Sequence, residues 1–283
     1  MYLGCHLSSA NGYLAMGQKA LELGADTFQY FTRNPRGGSV KPLDLKDLSD
    51  LVDFLTKHRF GPIVAHAPYT INPSSVVEKT RNFAKLALTE DLERLQRFPG
   101  ALYNLHPGSH VGLGASEAID NTANLLNEIL TPETKTPVLL ETMAGKGSEI
   151  GRDFGELALL ISKIKLNDQI GVCLDSCHVH DGGYDIKDRL DQVLETFDRE
   201  IGLNRLKAVH INDSLNPQAS HKDRHAKIGQ GHIGLEAIAK LVWHPKLQNL
   251  PFILETPNEL DGYKLEIETL RSLEPKKKKG SKK

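Results

Sequence analysis

Short runs of aliphatic and β-branched residues recur along the chain, and the longer stretches between them carry apolar residues three and four positions apart. The short runs predict strands over 2–6, 26–31, 62–66, 101–106, 137–141, 170–175, 205–210 and 251–255. Stretches such as 75–97, 116–130, 154–164 and 186–197 predict amphipathic helices that turn one face to a sheet. Strand and helix alternate throughout, so the sheet is expected to be parallel. Eight such units within 283 residues fit a closed (β/α)8 barrel of the TIM type, with an open doubly wound sheet as the alternative. The pattern assigns one domain to 1–273 and leaves a lysine-rich, disordered tail over 274–283.

Six predicted strands end on chemistry. IVAH, YNLH, VLLE, VCLD, KAVH and FILE finish at His66, His106, Glu141, Asp175, His210 and Glu255, with separations of 40, 35, 34, 35 and 45 residues. One polar residue closing one buried strand is an ordinary loop entry. Six in succession are different, because a closed barrel gathers all its carboxyl ends at one rim, where this architecture places its active sites. Three histidines and three carboxylates gathered there repel one another or stay protonated unless divalent cations turn that cost into coordination. A mixture of imidazole and carboxylate favours zinc, with manganese or iron as substitutes.

Two short motifs enlarge the set. In DSCH (175–178), His178 follows Asp175 by three, and a turn leaving the strand aims both into the barrel mouth. In DRH (223–225), Asp223 and His225 point the same way if the segment is extended. Nine candidate ligands, at three or four per ion with one carboxylate bridging, correspond to three ions. Four carboxylates against three divalent cations leave the site at about +2, a charge that attracts a phosphodiester.

Composition frames this chemistry. Hydrophobic residues are 39% and charged residues 25%, which excludes disorder of the whole chain and collagen-like repetition. No apolar run approaches the ~18 residues of a membrane span, and the start, MYLGCHLSSANGYL, lacks a basic segment followed by a long apolar one. The expectation is a soluble, intracellular protein with no membrane attachment. Three cysteines, Cys5, Cys173 and Cys177, are too few for a disulfide framework. With the six lysines of the last eight residues set aside, 29 basic residues face 36 acidic ones, a net of −7. Such a body does not bind nucleic acid by its own surface charge unless cations supply what it lacks. The tail lysines either hold an anionic partner or keep the chain soluble.

The segments NLHPGSH (104–110), ETMAGKGSEIG (141–151), DSCHVHDGGYD (175–185), HINDS (210–214), DRHAKIGQGHIG (223–234) and ILETP (253–257) resemble the signature blocks of the endonuclease IV family of apurinic/apyrimidinic endonucleases, and the resemblance spans 1–273. It implies three zinc ions: one at His66, His106 and Glu141; a second sharing Glu141 with Asp175, His210 and Glu255; a third at His178, Asp223 and His225. It implies base-excision repair by hydrolysis of the phosphodiester 5′ to an abasic site in double-stranded DNA. The products are a 3′-hydroxyl and a 5′-deoxyribose phosphate, and Glu141 and Glu255 are the catalytic carboxylates. Arg36 in FTRNPR and Tyr69 in HAPYTIN match family positions that enter the DNA beside the lesion. Gly38 stands where many relatives carry an aromatic residue and Thr70 where a larger apolar one is common, which implies weaker wedging. The expected protein acts as a monomer in the cytoplasm or nucleoid of a microbe, or in the nucleus if eukaryotic.

A sugar isomerase or epimerase on a related barrel is the alternative, since a two-metal rim of Glu, Asp, His and Glu serves that chemistry too. The DRH block disfavours it, because an isomerase needs no third ion. A catalytically silent DNA- or metal-binding module is a further alternative, against which the complete ligand set speaks. AGKGS (144–148) lacks the phosphate-loop spacing and reads as a tight loop after the fifth strand. Cys173 is expected to pack the barrel interior, and Cys177 has no partner motif. His6 either supports a ligand from behind or is an ordinary buried histidine. His110, His180, His221 and His232 default to exposed imidazoles, as do His58 and His244.

Overall fold

A computed structural model describes residues 1–36 and 38–275. Its strands are β1 (Tyr2–His6), β2 (Thr27–Phe31), β3 (Val64–His66), β4 (Leu102–Leu105), β5 (Val138–Glu141), β6 (Ile170–Asp175), β7 (Leu206–Ile211), a short antiparallel pair, β8 (Asp213–Ser214) and β9 (His225–Ala226), and β10 (Pro251–Leu254). The eight longer strands pair in parallel in the order β1-β10-β7-β6-β5-β4-β3-β2, and β1 pairs with both β10 and β2, so the sheet closes. That closure removes the open doubly wound alternative.

Around the barrel lie α1 (Tyr13–Glu22), α2 (Leu45–Lys57), α3 (Glu78–Leu95), α4 (Ala115–Ile129), α5 (Phe154–Ser162), α6 (Ser176–Asp181), α7 (Leu190–Glu200), α8 (Leu235–Val242) and α9 (Leu260–Ser272). Their apolar stripes face inward: α2 buries Leu48, Leu51 and Leu55, and α7 buries Val193, Leu194 and Phe197. Carboxylates fix where several begin. Asp44 accepts from the amides of Lys46 and Asp47 to start α2, and Asp153 accepts from Glu156 to start α5. Among the described residues, no helix is long and apolar enough to cross a membrane.

Strict alternation of strand and helix fails in two places. Helix α6 follows β6 directly, ahead of α7, and the β8–β9 hairpin intervenes between β7 and α8. Both additions carry candidate ligands beyond the strand ends, His178 on α6 and His225 on β9. Most of the expected tail, residues 276–283, lies outside the described residues.

Inside the barrel, side chains stand in layers set by the two-residue period of a strand. Val64, Leu102, Leu139, Cys173, Ala208 and Ile253 form a dry cluster of their own, one residue from each of β3, β4, β5, β6, β7 and β10. Gly4 and Thr27, paired in register, occupy the equivalent places on β1 and β2. Gly4 is required there, since a Cβ would lie 1.9 Å from the Thr27 carbonyl oxygen.

Candidate metal centre

Two residues further along each strand, toward its carboxyl end, the interior layer changes character. The same alternation that places the apolar plug puts His6, Gln29, His66, Asn104, Glu141, Asp175, His210 and Glu255 above it. Strand β4 was expected to end on His106. It ends at Leu105, Asn104 takes the interior place, and His106 stands just past the strand on the same side.

The structure brings the nine candidate ligands together in three groups: His66, His106 and Glu141; Glu141, Asp175, His210 and Glu255; His178, Asp223 and His225. Glu141 joins the first two. Its Oε2 lies 3.2 Å from His66 Nε2 and 3.5 Å from His106 Nε2, while its Oε1 lies 3.3 Å from His210 Nδ1. In the second group, His210 Nδ1 is 3.2 Å from Glu255 Oε2 and 3.8 Å from Asp175 Oδ2. In the third, Asp223 Oδ1 is 3.2 Å from His178 Nε2 and 3.5 Å from His225 Nε2. Metal–donor bonds of about 2.0–2.1 Å in a tetrahedral shell separate the donors by roughly 3.3–3.4 Å, close to these spacings.

The ring nitrogens are oriented for lone-pair donation inward. Nδ1–H of His66 donates to the Ala67 carbonyl at 2.6 Å, that of His178 to the Thr142 carbonyl at 2.8 Å, and that of His225 to the Glu255 carbonyl at 3.2 Å. His225 Nε2 is buried without a hydrogen-bond partner and faces the group, an orphaned atom that a cation would satisfy. A fourth grouping of Asp175, Cys177 and His225 also forms. Burial pushes the Cys177 thiol well up, however, and the protonated thiol is a poor ligand.

Charge is arranged in the same sense. Burial opposes ionisation of Glu141, yet His210 and His106 hold its carboxyl well below the usual range, and His210 does the same for Glu255. Asp223, also opposed by burial, is drawn down to about 2 by His178. Burial lowers His106 to about 4, which leaves it neutral at pH 7. Against burial, Asp175, Asp223 and Glu141 hold His178 well above its ordinary value, and Cys173, Glu255 and Glu141 do so for His210.

Three polar residues that the sequence reading passed over touch the ligands. Asn104 Nδ2 donates to Glu141 Oε2 at 2.6 Å, and Asn212 Nδ2 donates to Asp175 Oδ2 at 2.7 Å. Gln29 stands between His210 and Glu255, beside His6. Each is an amide, outside the ligand types sought at strand ends. The signal that would have found Gln29 and Asn104 is the count of two from the apolar layer.

Three local expectations are corrected. His178 sits in the first turn of α6 rather than on a loop, with the Asp175 carboxylate accepting from its amide at 2.8 Å. Asp223 is not extended, having φ 52°, yet it and His225 still converge. His180, expected at the surface, is buried, with Nε2 3.3 Å from the Asn216 carbonyl. Cys173 lies in the barrel interior as expected.

At the mouth, Tyr69 is 60% exposed, and its ring leans on Phe31, His66 and His106 with centroids 5.0–5.9 Å apart. Arg36 is exposed on a loop held from below by buried Arg33, which donates to Asp91 Oδ1, Glu90 Oε2 and the carbonyls of Gly38 and Ala87. Gly38 turns that loop at φ 70°, and a Cβ there would meet the Phe83 ring at 2.4 Å, so no larger residue fits this loop path. Thr70 is exposed beside Tyr69. A groove of about 1240 Å³ opens beside the rim, lined in part by His6, Phe31, Asn34 and Asn258.

The family described as Xylose isomerase-like TIM barrel matches residues 18–273. A protein of Alkaliphilus oremlandii (strain OhILAs) named Probable endonuclease 4 is 55% identical over 269 residues, covering 95% of this chain and 96% of that protein. The crystal structure of endonuclease IV from Thermus thermophilus superposes with a TM-score of 0.85 at 29% identity, covering 96% of this chain and 98% of that one. A D-tagatose 3-epimerase-like protein shares the fold with a TM-score of 0.72 at 21% identity, covering 96% and 97% of the two chains.

Proposed function

The chain belongs to the endonuclease IV family, and from that membership we propose that it is a metal-dependent endonuclease cutting the phosphodiester 5′ to abasic sites in double-stranded DNA during base-excision repair. The observation that carries the reading is the third group, His178, Asp223 and His225, standing beside the two that share Glu141. Sugar-interconverting barrels need one or two cations, and a third set of donors suits a substrate that gathers negative charge on both attacking and leaving oxygens.

The three groups hold divalent cations, zinc by donor chemistry, with manganese or iron as substitutes. When bound, such cations lower the pKa of water and neutralise charge developing on phosphorus-linked oxygens. Glu141 sets the spacing of the first two groups by presenting one oxygen to each. Glu255 keeps Oε2 toward His210 while its other oxygen is held by Gln29, so its orientation is fixed before substrate arrives. Asp175 is fixed likewise by Asn212 and by its own capping of α6. Tyr69 shields one side of His66 and His106 from water. A sugar lacking its base leaves the helical stack at little cost, which selects the lesion at a mouth of this kind.

The test is incubation of the zinc-loaded protein with an abasic duplex and, separately, with free ketoses. Incision 5′ to the lesion, leaving a 3′-hydroxyl, is expected; interconversion of sugars without strand cleavage overturns the reading.

Two further outcomes follow. Arg36→Ala raises KM on the abasic duplex and makes the slope of log K against log salt shallower by about 1, as loss of one phosphate contact requires; an unchanged salt slope removes Arg36 from the DNA contacts. Loading zinc into metal-free protein releases protons, because their surroundings raise His178 and His210 above the ordinary imidazole value and a ligating ring must give its proton up. Metal affinity therefore rises with pH. A pH-stat titration near neutrality should record proton release on zinc loading, and none would contradict their role.

A further inference from the structure

Six barrel strands lead to proposed ligands; β1 and β2 carry none. Their rim-layer residues are His6 and Gln29, and Gln29 is fully buried. Its side-chain amide makes three contacts. Oε1 accepts from His210 Nε2 at 2.7 Å, while Nε2 donates to Glu255 Oε1 at 2.5 Å and lies 3.0 Å from His6 Nδ1. Only one orientation of the amide satisfies all three: a carboxylate can only accept, so the NH2 faces Glu255, and the carbonyl is left for the N–H of His210.

This matters because His210 is mounted in the opposite sense to its neighbours. His66, His178 and His225 present Nε2 to the centre and anchor Nδ1 on backbone carbonyls. His210 presents Nδ1, and its outer nitrogen meets no backbone carbonyl; it is anchored on a side chain. A backbone anchor survives any substitution, whereas this one depends on residue 29. We propose that Gln29 is a positioning residue for the group of Glu141, Asp175, His210 and Glu255. Its carbonyl fixes the Nε2–H tautomer of His210, freeing Nδ1 for the cation, and its NH2 turns Glu255 so that Oε2 faces the same point. His6 closes the arrangement from the far side, accepting at Nδ1 from the same NH2. The inference rests on the metal-centre reading above and adds to it a side chain that orients two ligands of one group together.

The experiment compares wild-type protein, Gln29→Met and Gln29→Glu, each folded by circular dichroism. Methionine keeps the volume and removes all three hydrogen bonds; glutamate keeps an acceptor for His210 and loses the donor to Glu255 and His6. Competition titration with a zinc chelator should show one class of sites weakened about 10- to 100-fold in Gln29→Met and the remaining classes unchanged. On zinc-loaded, ring-15N-labelled protein, the His210 Nε2–H proton should appear in wild type and Gln29→Glu, hydrogen-bonded and downfield. It should shift upfield or exchange away in Gln29→Met. Unchanged affinity in Gln29→Met overturns the proposal, as does an unmoved His210 signal. If Gln29→Met does not fold, Gln29→Glu decides: retention of the signal supports the assignment, and its loss overturns it. Absence of tight zinc sites from the wild type itself would instead remove the metal-centre reading on which the proposal stands.

Discussion

Glu141→Gln is expected to lower incision of an abasic duplex by on the order of 10³-fold or more, while the barrel stays folded. Glutamine preserves the shape of the side chain but offers one neutral oxygen where the carboxylate presents Oε2 to His66 and His106 and Oε1 to His210. Two groups of donors lose their common member at once. Cation charge stabilisation supplies several kcal/mol in reactions of this type, and each 1.36 kcal/mol is a factor of ten. Relief of burial for an ionised group offsets part of any loss in stability, so the thermal transition should move little. The measurement is kcat on the duplex alongside metal content by mass spectrometry. A variant that retains full metal and full rate would refute the role assigned to Glu141.

A comparably large effect, on stability rather than rate, is expected from Gly4→Ala. The added methyl would stand 1.9 Å from the Thr27 carbonyl oxygen and 2.6 Å from its carbon, both backbone atoms of the paired strand. No rotamer relieves a contact made by Cβ itself. The β1–β2 register Gly4↔Thr27, Cys5↔Phe28, His6↔Gln29 must open to admit it. Destabilisation above about 4 kcal/mol, at the extreme of single substitutions, is the expectation. Urea unfolding of metal-free protein measures it without interference from bound cations. A change under about 1 kcal/mol would mean that the two strands are not packed as described.

Much of this architecture could be read from the chain because it depends on period-two alternation and on residue types with few other uses. His66, Glu141 and Asp175 close buried strands, His210 stands one residue before the end of β7 and Glu255 one past the end of β10, and all stand out against the aliphatic residues before them. What escaped was governed by geometry beyond that alternation. Helix α6 spans six residues, too short to show a helical repeat, and begins on a carboxylate that also belongs to the metal group. Asp223 converges with its neighbours through a left-handed backbone, a conformation that no local pattern announced. Gln29 and Asn104 look ordinary as residue types, and their importance comes from sharing a layer with the ligands.

The plug of Val64, Leu102, Leu139, Cys173, Ala208 and Ile253 beneath the rim has an electrostatic consequence. A hydrocarbon floor is a poor dielectric, so lines of force from cations seated above it spread little downward and leave through the open mouth. Cations held in the three groups would thus make the barrel a lens, a positive mouth on a body whose net charge without the last eight residues is −7. With the three groups loaded, an approaching polyanion would be drawn to the mouth and turned end-on.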